Sequence, residues 1–89
     1  VLLNGRDEAA LEAARREIAA SHPEARTAAL PFDIADAAAL NEAFGRMARD
    51  HGRLDILVNN VGQRDRRALE AFALDDLRRL LDVNLVAPF

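Results

Sequence analysis

The 89-residue chain contains no cysteine, no lysine, no tyrosine and no tryptophan, and its single serine is Ser21. The missing cysteines exclude disulfide bonds and thiolate metal sites. Only His22 and His51 could supply imidazole ligands, and they do not have the spacing of a metal pair. We therefore predict no metal site.

The sequence also lacks a long apolar run, so no membrane-spanning segment is predicted. A net charge of -3 disfavours a nucleic-acid-binding surface. A content of 51% hydrophobic and 30% charged residues is typical of one small globular domain, for which we expect a cytoplasmic location. Because Val1 is not a methionine and no secretory signal follows it, we interpret residues 1–89 as a fragment.

The central stretch of the chain is a short apolar run, Leu54–Val58, followed by Asn59, Asn60, Val61 and Gly62. The run is too short for a helix and predicts a strand buried on both faces of a parallel sheet. Ligands of such sheets bind at the carboxyl ends of the strands. Two amides and a glycine at that end suit a ribose or a nicotinamide, although the same residues also form ordinary turns.

The rest of the chain alternates between predicted strands and helices. Asp7 and Asp36 are predicted to cap two helices at their N-termini, and Gly52 is predicted to end the second one in a left-handed conformation. The alternation predicts an α/β fold with a doubly wound parallel sheet. The other predicted elements are a strand ending at Asn4, a helix over 8–20, a strand over 26–32, a helix over 37–50, and a last helix from Leu74 or Asp75 to the end of the chain.

The last predicted helix carries a polar residue on its apolar face. Leu77, Leu81 and Leu85 are predicted to face inward, and Asn84 falls on the same stripe. A buried amide without a partner would cost about 1 to 3 kcal/mol, so Asn84 should have a specific bonding role. It could be an amide that kinks the helix, a functional residue, or both.

Leu54–Gly62 resembles the strand and the Asn-Asn-Ala-Gly signature of the short-chain dehydrogenase/reductase family, with Val61 replacing the alanine. The resemblance extends over essentially the whole chain and implies the middle of a classical member. It implies a partial Rossmann fold with strands 2 to 4, within a single NAD(P)-binding domain of which residues 1–89 are a part. The first strand, its glycine-rich phosphate turn and the C-terminal half would be missing, together with the catalytic Ser, Tyr and Lys.

The resemblance also implies a set of cofactor-binding residues: Arg6, Asp33, Ile34, Asn60, Val61 and Gly62. Arg6 follows the first strand, where its planar guanidinium would match a 2'-phosphate and favour NADP over NAD. Asp33 and Ile34 would contact the adenine. Asn60, Val61 and Gly62 would line the ribose side of the cofactor.

Val83-Asn84-Leu85 resembles the Val-Asn-Leu of the family, in which the asparagine holds a water of the proton relay. This resemblance implies a catalytic role for Asn84. Arg64, Arg66 and Arg67 follow Gly62 near the substrate mouth of the family, and their segment resembles gluconate 5-dehydrogenase-like members, in which an arginine would face a substrate carboxylate. A solvated charged loop is the ordinary interpretation of such a run.

The resemblance implies an oxidoreductase that transfers a hydride between NAD(P)H and a small carbonyl or alcohol substrate, as a homodimer or homotetramer. The fragment alone is expected to be inactive. The alternative is a truncated, non-catalytic α/β interaction module, in which the site residues are incidental. A flavodoxin-like receiver domain is not supported, because no strand end carries a clustered acidic pocket.

Overall fold

The computed structural model describes all residues, 1–89, and divides the chain into two compact units, residues 1–43 and 44–89. The regular elements are two strands and three α-helices, with a short 3-10 helix at Leu69–Ala71 and a π-helical turn at Asp82–Val86. The strands and α-helices are β1 (Leu2–Gly5), α1 (Glu8–Ser21), β2 (Ala28–Pro31), α2 (Ala37–His51) and α3 (Leu74–Leu81).

The first unit contains a two-stranded parallel sheet. Leu2 pairs with Ala28 at one end of the ladder, and Gly5 pairs with Pro31 at the other. Pro31 is the last residue of β2, where its missing N–H interrupts the ladder least. The prediction of a parallel pair of strands is confirmed, although β2 is shorter than the predicted range 26–32.

Helix α1 begins where the sequence predicts. The Asp7 carboxylate accepts a hydrogen bond from the Ala10 backbone N–H at 3.1 Å, which is an N-cap interaction. Leu11 on the inward face is only 7% exposed. A Cβ built on Gly5 would lie 3.3 Å from Leu11 Cδ2, so the helix packs tightly over the end of β1.

Helix α2 has the two end signals that the sequence predicts. The Asp36 carboxylate accepts from the backbone N–H groups of Ala38 and Ala39 at 3.0 and 3.1 Å. Gly52 directly follows the helix and has a φ of 72°, the left-handed conformation that favours glycine. Both predicted ends of this helix are confirmed to within one residue.

The predicted third strand does not form. Residues 54–58 belong to no helix or strand, and the sheet contains only β1 and β2. Ile56 and Val58 are 78% and 76% exposed, although the prediction placed them in a sheet covered on both faces. A strand exists only through hydrogen bonds to a neighbouring strand, and no segment of this chain pairs with this run.

The helical segment at the end of the chain also differs from the prediction. Helix α3 stops at Leu81 and continues as the π-helical turn Asp82–Val86, closed by a hydrogen bond from the Ala87 N–H to the Asp82 carbonyl at 2.8 Å. The predicted inward leucines are exposed: Leu77 48%, Leu81 47% and Leu85 64%. The wider turn shifts the side chains around the helix, and Val83 is the residue that it buries.

The buried apolar core is small. Leu11, Ala43 and Val83 are the only buried hydrophobic residues of the chain. None of the helices combines the length and the hydrophobicity that a bilayer-spanning segment needs. The alternation of parallel strands and helices confirms the α/β class, whereas the sheet has two strands instead of the predicted three.

Candidate functional site

The carboxyl ends of β1 and β2 bring two of the predicted site residues together. Arg6 follows β1 directly, and Asp33 lies two residues beyond β2. Parallel strands end at the same edge of a sheet, which is where ligands bind in α/β proteins. Arg6 Nη1 lies 4.0 Å from Asp33 Oδ2, and the two side chains are 66% and 42% exposed.

This ion pair is long and open to solvent, so it contributes little stability, about 0 to 1 kcal/mol in comparable surface pairs. The guanidinium of Arg6 therefore keeps most of its donors available for a second anion. Its sequence neighbour Asp7 is committed to the N-cap of α1. The Arg6 guanidinium is accordingly the cationic group at the end of β1 that a ligand anion can reach.

Asp33 is fixed by its own turn. Its Oδ1 accepts a hydrogen bond from the Ala35 backbone N–H at 3.0 Å, and its other oxygen faces Arg6. Ile34, the neighbouring residue, is half-buried. The turn leaves the second carboxylate oxygen of Asp33 accessible for a donor on a ligand.

The side chain of Asn4 also shapes this edge, and the sequence analysis did not identify it. Its Nδ2 donates to the carbonyls of Leu30 and Phe32 at 3.0 and 3.1 Å. The Phe32 N–H in turn donates to the Gly5 carbonyl at 3.1 Å. These bonds hold the segment that leads to Asp33 beside the end of β1. A polar side chain one residue before the strand ends was the available signal.

In the second unit, Asn84 clamps the segment that follows Gly62. Its Oδ1 accepts from the Gln63 backbone N–H at 3.0 Å, and its Nδ2 donates to the Gln63 carbonyl at 2.9 Å. The same Nδ2 donates to the Leu80 carbonyl at 2.8 Å. The expected specific bonding role exists, but Asn84 is exposed, which contradicts its predicted burial on a leucine stripe. The π-helical turn directs the amide toward Gln63 instead of a core.

Three predicted site residues directly precede Gln63, the residue that this clamp holds. Gly62 lies beside Asn84: a Cβ built on Gly62 would be 3.5 Å from Asn84 Oδ1. Asn60 and Val61 precede Gly62 and are both exposed, with Val61 at 47%. Asn84 therefore links the π-helical turn to Gln63, the residue that follows the Asn-Asn-Val-Gly sequence.

The three arginines after Gly62 are not equivalent. Arg67 forms ion pairs with Asp65 and Asp76, whereas Arg64 and Arg66 are exposed and form no ion pair. The hydrogen bond from Arg67 holds the pKa of Asp65 below its ordinary value of 3.8. Because the pKa of Asp65 is lowered, its carboxylate is charged at neutral pH and its ion pair with Arg67 is intact. The ion pair weakens only as the pH falls through the lowered pKa of Asp65. The pKa of Arg67 is raised, chiefly by its hydrogen bond to Asp65.

The sequence and the fold of this chain are similar to those of known proteins. The model of the short chain dehydrogenase family matches residues 1–89, the whole chain. The chain therefore belongs to the short-chain dehydrogenase family, and the resemblance seen in its sequence is confirmed.

Individual relatives fall within this family. Gluconate 5-dehydrogenase from Gluconobacter oxydans (strain 621H) is 37% identical over 89 residues, which is 100% of this chain and 34% of the relative. The crystal structure of a gluconate 5-dehydrogenase from Burkholderia cenocepacia J2315, in complex with NADP and tartrate, is 34% identical with a TM-score of 0.75. That match covers 97% of this chain and 33% of the solved one.

A second solved structure, YwfH, is an NADPH-dependent reductase involved in bacilysin biosynthesis. It is 27% identical with a TM-score of 0.83, and the match covers 97% of this chain and 36% of that one. The likeness places the chain in the Rossmann-type α/β fold of the family. The chain spans about a third of the length of these relatives.

Proposed function

We propose that the chain is part of an NADP-dependent oxidoreductase that transfers a hydride between the nicotinamide and a small alcohol or carbonyl substrate. The observation that carries this proposal is the pairing of Arg6 with Asp33 at the shared carboxyl edge of β1 and β2. Family membership over residues 1–89 gives the reaction class. Bound NADP would supply the hydride chemistry, and the chain would supply binding and orientation.

The residues present fit the adenosine end of this cofactor. Arg6 is 66% exposed and only loosely paired, so its planar fork can take a 2'-phosphate. Asp33 would accept from the adenine amine, and half-buried Ile34 would pack against the ring. In this assignment β1 and β2 are strands 2 and 3 of the Rossmann sheet, which are adjacent in the order 3-2-1-4-5-6.

The clamped segment would serve the nicotinamide end. Asn60, Val61 and Gly62 would line the ribose side of the cofactor, and Asn84 would hold a water of the proton relay. The hydrogen bonds from Asn84 to both backbone groups of Gln63 support this role, because they fix Asn84 and the end of the lining segment together. A fixed geometry of the reacting groups is a major source of enzymatic rate enhancement.

The exposed apolar run supports the view that residues 1–89 are part of a larger domain. Ile56, Leu57 and Val58 are 59 to 78% exposed, which is unusual for three successive large apolar residues. As strand 4 of the full sheet, the run would pair with the first strand and be covered by helices. The catalytic Ser, Tyr and Lys would also come from the rest of that domain. The complete enzyme would act as a homodimer or homotetramer.

The substrate is proposed to carry a carboxylate. Arg64 and Arg66 are exposed and unpaired in a segment that would border the substrate mouth. One relative is a gluconate 5-dehydrogenase, and another was solved with NADP and tartrate, a dicarboxylate. A guanidinium that faced a carboxylate would form charge-assisted hydrogen bonds.

The full-length protein is expected to reduce NADP with gluconate as substrate. Glucitol is the matched control, because it has a hydroxymethyl group in place of the carboxylate. Hydrogen bonds to charged groups contribute about 1.5 to 3 kcal/mol, so kcat/KM for gluconate should exceed that for glucitol by about 10- to 100-fold. NADPH formation is followed by absorbance. Equal rates would contradict a carboxylate-binding arginine, and no NADP reduction with either compound would contradict gluconate as the substrate.

The 89-residue chain alone is expected to bind NADPH weakly and to catalyse no hydride transfer. It contains no glycine-rich turn for the pyrophosphate and none of the Tyr and Lys that would handle the proton. A fluorescence titration of the isolated chain with NADPH should give no saturation in the micromolar range. Micromolar affinity would show that the adenosine end of the cofactor is sufficient for binding and would contradict the expectation.

A further inference from the structure

The side chain of Arg67 contacts two carboxylates, a backbone carbonyl and an aromatic ring. Its Nε donates to Asp65 Oδ1 at 3.0 Å, and its Nη2 donates to the other oxygen of the same carboxylate. Its Nη1 lies 3.1 Å from Asp76 Oδ2 and donates to the Ala71 carbonyl at 3.2 Å. The guanidinium carbon is 4.6 Å from the centre of the Phe72 ring.

These contacts join three consecutive pieces of the second unit. Asp65 precedes Arg67 in the loop, Ala71 ends the short 3-10 helix, and Asp76 lies in the first turn of α3. Asp76 Oδ2 also accepts from the Ala73 N–H at 3.0 Å and so completes part of the helix cap. We refer to residues 64–73 as the arginine loop.

The planar fork of arginine suits this arrangement. Two parallel N–H donors meet one carboxylate, while a third nitrogen reaches a second carboxylate and a carbonyl. A lysine ammonium is a single point charge and cannot reproduce this geometry. The ring contact with Phe72 adds a cation–π interaction on the face of the guanidinium. The guanidinium of Arg67 therefore binds groups of the protein with all three of its nitrogens.

The arginine loop begins directly after Gln63, which Asn84 holds by both its backbone groups. One end of the loop is thus fixed by the amide clamp, and the other end is fixed by Arg67 at the start of α3. Arg64 and Arg66 lie between these two fixed points and have no ion pair.

We propose that Arg67 is a positioning residue that holds the arginine loop in one conformation and thereby presents the free guanidinium groups of Arg64 and Arg66 to the substrate. This inference rests on the proposed function for its substrate-binding part. Its effect should fall on substrate binding, since all three nitrogens of the Arg67 guanidinium already contact Asp65, Ala71 or Asp76 and Arg67 acts on the substrate through the loop.

The test compares Arg67→Ala with Arg78→Ala in the full-length enzyme. Arg78 is the control, because it forms a single ion pair with an aspartate, Asp75 at 2.9 Å, and that pair lies within the surface of α3. Arg67→Ala is expected to raise KM for gluconate about tenfold and to leave kcat within about threefold. Arg67→Lys should give an intermediate KM, and Arg78→Ala should leave both parameters unchanged.

Hydrogen exchange of the backbone amides gives a readout that does not depend on activity. Exchange in residues 64–73 should accelerate at least about tenfold in Arg67→Ala but not in Arg78→Ala. If Arg67→Ala does not fold, Asp65→Asn weakens the same contact with a smaller change and should accelerate exchange in the same residues.

Unchanged exchange in both Arg67→Ala and Asp65→Asn would overturn the inference while leaving the proposed function intact. Faster exchange with an unchanged KM would overturn the link to substrate. If the unaltered enzyme does not oxidise gluconate, the substrate-binding part fails with the proposed substrate, and hydrogen exchange still decides whether Arg67 orders the loop.

Discussion

Replacing Asn84 with alanine is expected to lower kcat of the full-length enzyme about 100-fold, because the change removes the proposed proton-relay group and loosens the segment proposed to line the cofactor. The alanine deletes the hydrogen bond that the Gln63 N–H donates to Asn84 and the two that Asn84 donates to the carbonyls of Gln63 and Leu80. A neutral hydrogen bond contributes about 0.5 to 1.5 kcal/mol, so the two bonds to Gln63 together correspond to roughly a 5- to 100-fold effect. Steady-state kinetics with NADP and gluconate measure the loss.

Two further variants test whether the lower kcat comes from the lost hydrogen bonds of Asn84 or from the loss of any polar side chain. Asn84→Asp keeps an acceptor for the Gln63 N–H. It replaces the Nδ2 donor with a second carboxylate oxygen, which would be repelled by the carbonyls of Gln63 and Leu80. It should therefore be impaired to a similar degree. Asn41→Ala removes an exposed asparagine on α2 and should leave kcat unchanged. A kcat for Asn84→Ala within threefold of the unaltered enzyme would contradict both roles of Asn84.

The helix ends of this chain could be predicted from the sequence, because each depends on a few neighbouring atoms. Asp7 and Asp36 cap their helices with their own carboxylates, and Gly52 takes the left-handed conformation directly after α2. Such signals need no knowledge of the rest of the fold. The short-range pattern therefore located α1 and α2 to within one residue at either end.

The prediction of a third strand at Leu54–Val58 was wrong for this chain. An apolar run such as Leu54–Val58 indicates a preference for burial, but burial and strand pairing both require neighbours. Within this chain no strand pairs with it, and Ile56 is 78% exposed. The same argument applies to Leu77, Leu81 and Leu85, whose spacing indicates a packing face but does not identify what covers it.

Part of the candidate site could be predicted from the sequence. Arg6 and Asp33 could be placed at one sheet edge, because parallel strands connected by a helix end on the same side. The bonding role of Asn84 was predicted, but the π-helical turn that directs it was not, since one extra residue in a turn leaves no periodic signal. Arg67 was grouped with two free arginines because a run of charges does not reveal which member is paired.

Replacing Arg6 with alanine is expected to raise the Kd of the full-length enzyme for NADP about 10- to 100-fold and to change the Kd for NAD by less than about threefold. The range follows from the loss of charge-assisted hydrogen bonds to a 2'-phosphate, which contribute about 1.5 to 3 kcal/mol. NAD has a hydroxyl group at that position and does not depend on them. Fluorescence titrations with NADPH and NADH measure the effect, because these reduced forms carry the same 2'-phosphate and 2'-hydroxyl groups as NADP and NAD.

The environment of Arg6 explains why this preference should be strong. Its nearest carboxylate atom, Asp33 Oδ2, is 4.0 Å away in a solvent-exposed pair, so a phosphate would not have to displace a tight ion pair. The neighbouring Asp7, which could otherwise bind the ribose hydroxyls of NAD, accepts the Ala10 N–H as the cap of α1. Asp7→Ala should therefore cost about 1 kcal/mol of stability and leave the ratio of the two Kd values unchanged.

Arg16→Ala is the matched control, because Arg16 is an exposed arginine of α1 without an ion pair. It should leave both Kd values unchanged. Raising the ionic strength should weaken NADP binding to the unaltered enzyme more than to Arg6→Ala, since screening acts on the arginine–phosphate contact that only the former contains. If Arg6→Ala binds NADP and NAD with the same ratio of constants as the unaltered enzyme, Arg6 does not bind the 2'-phosphate, and the proposed basis of the NADP preference is wrong.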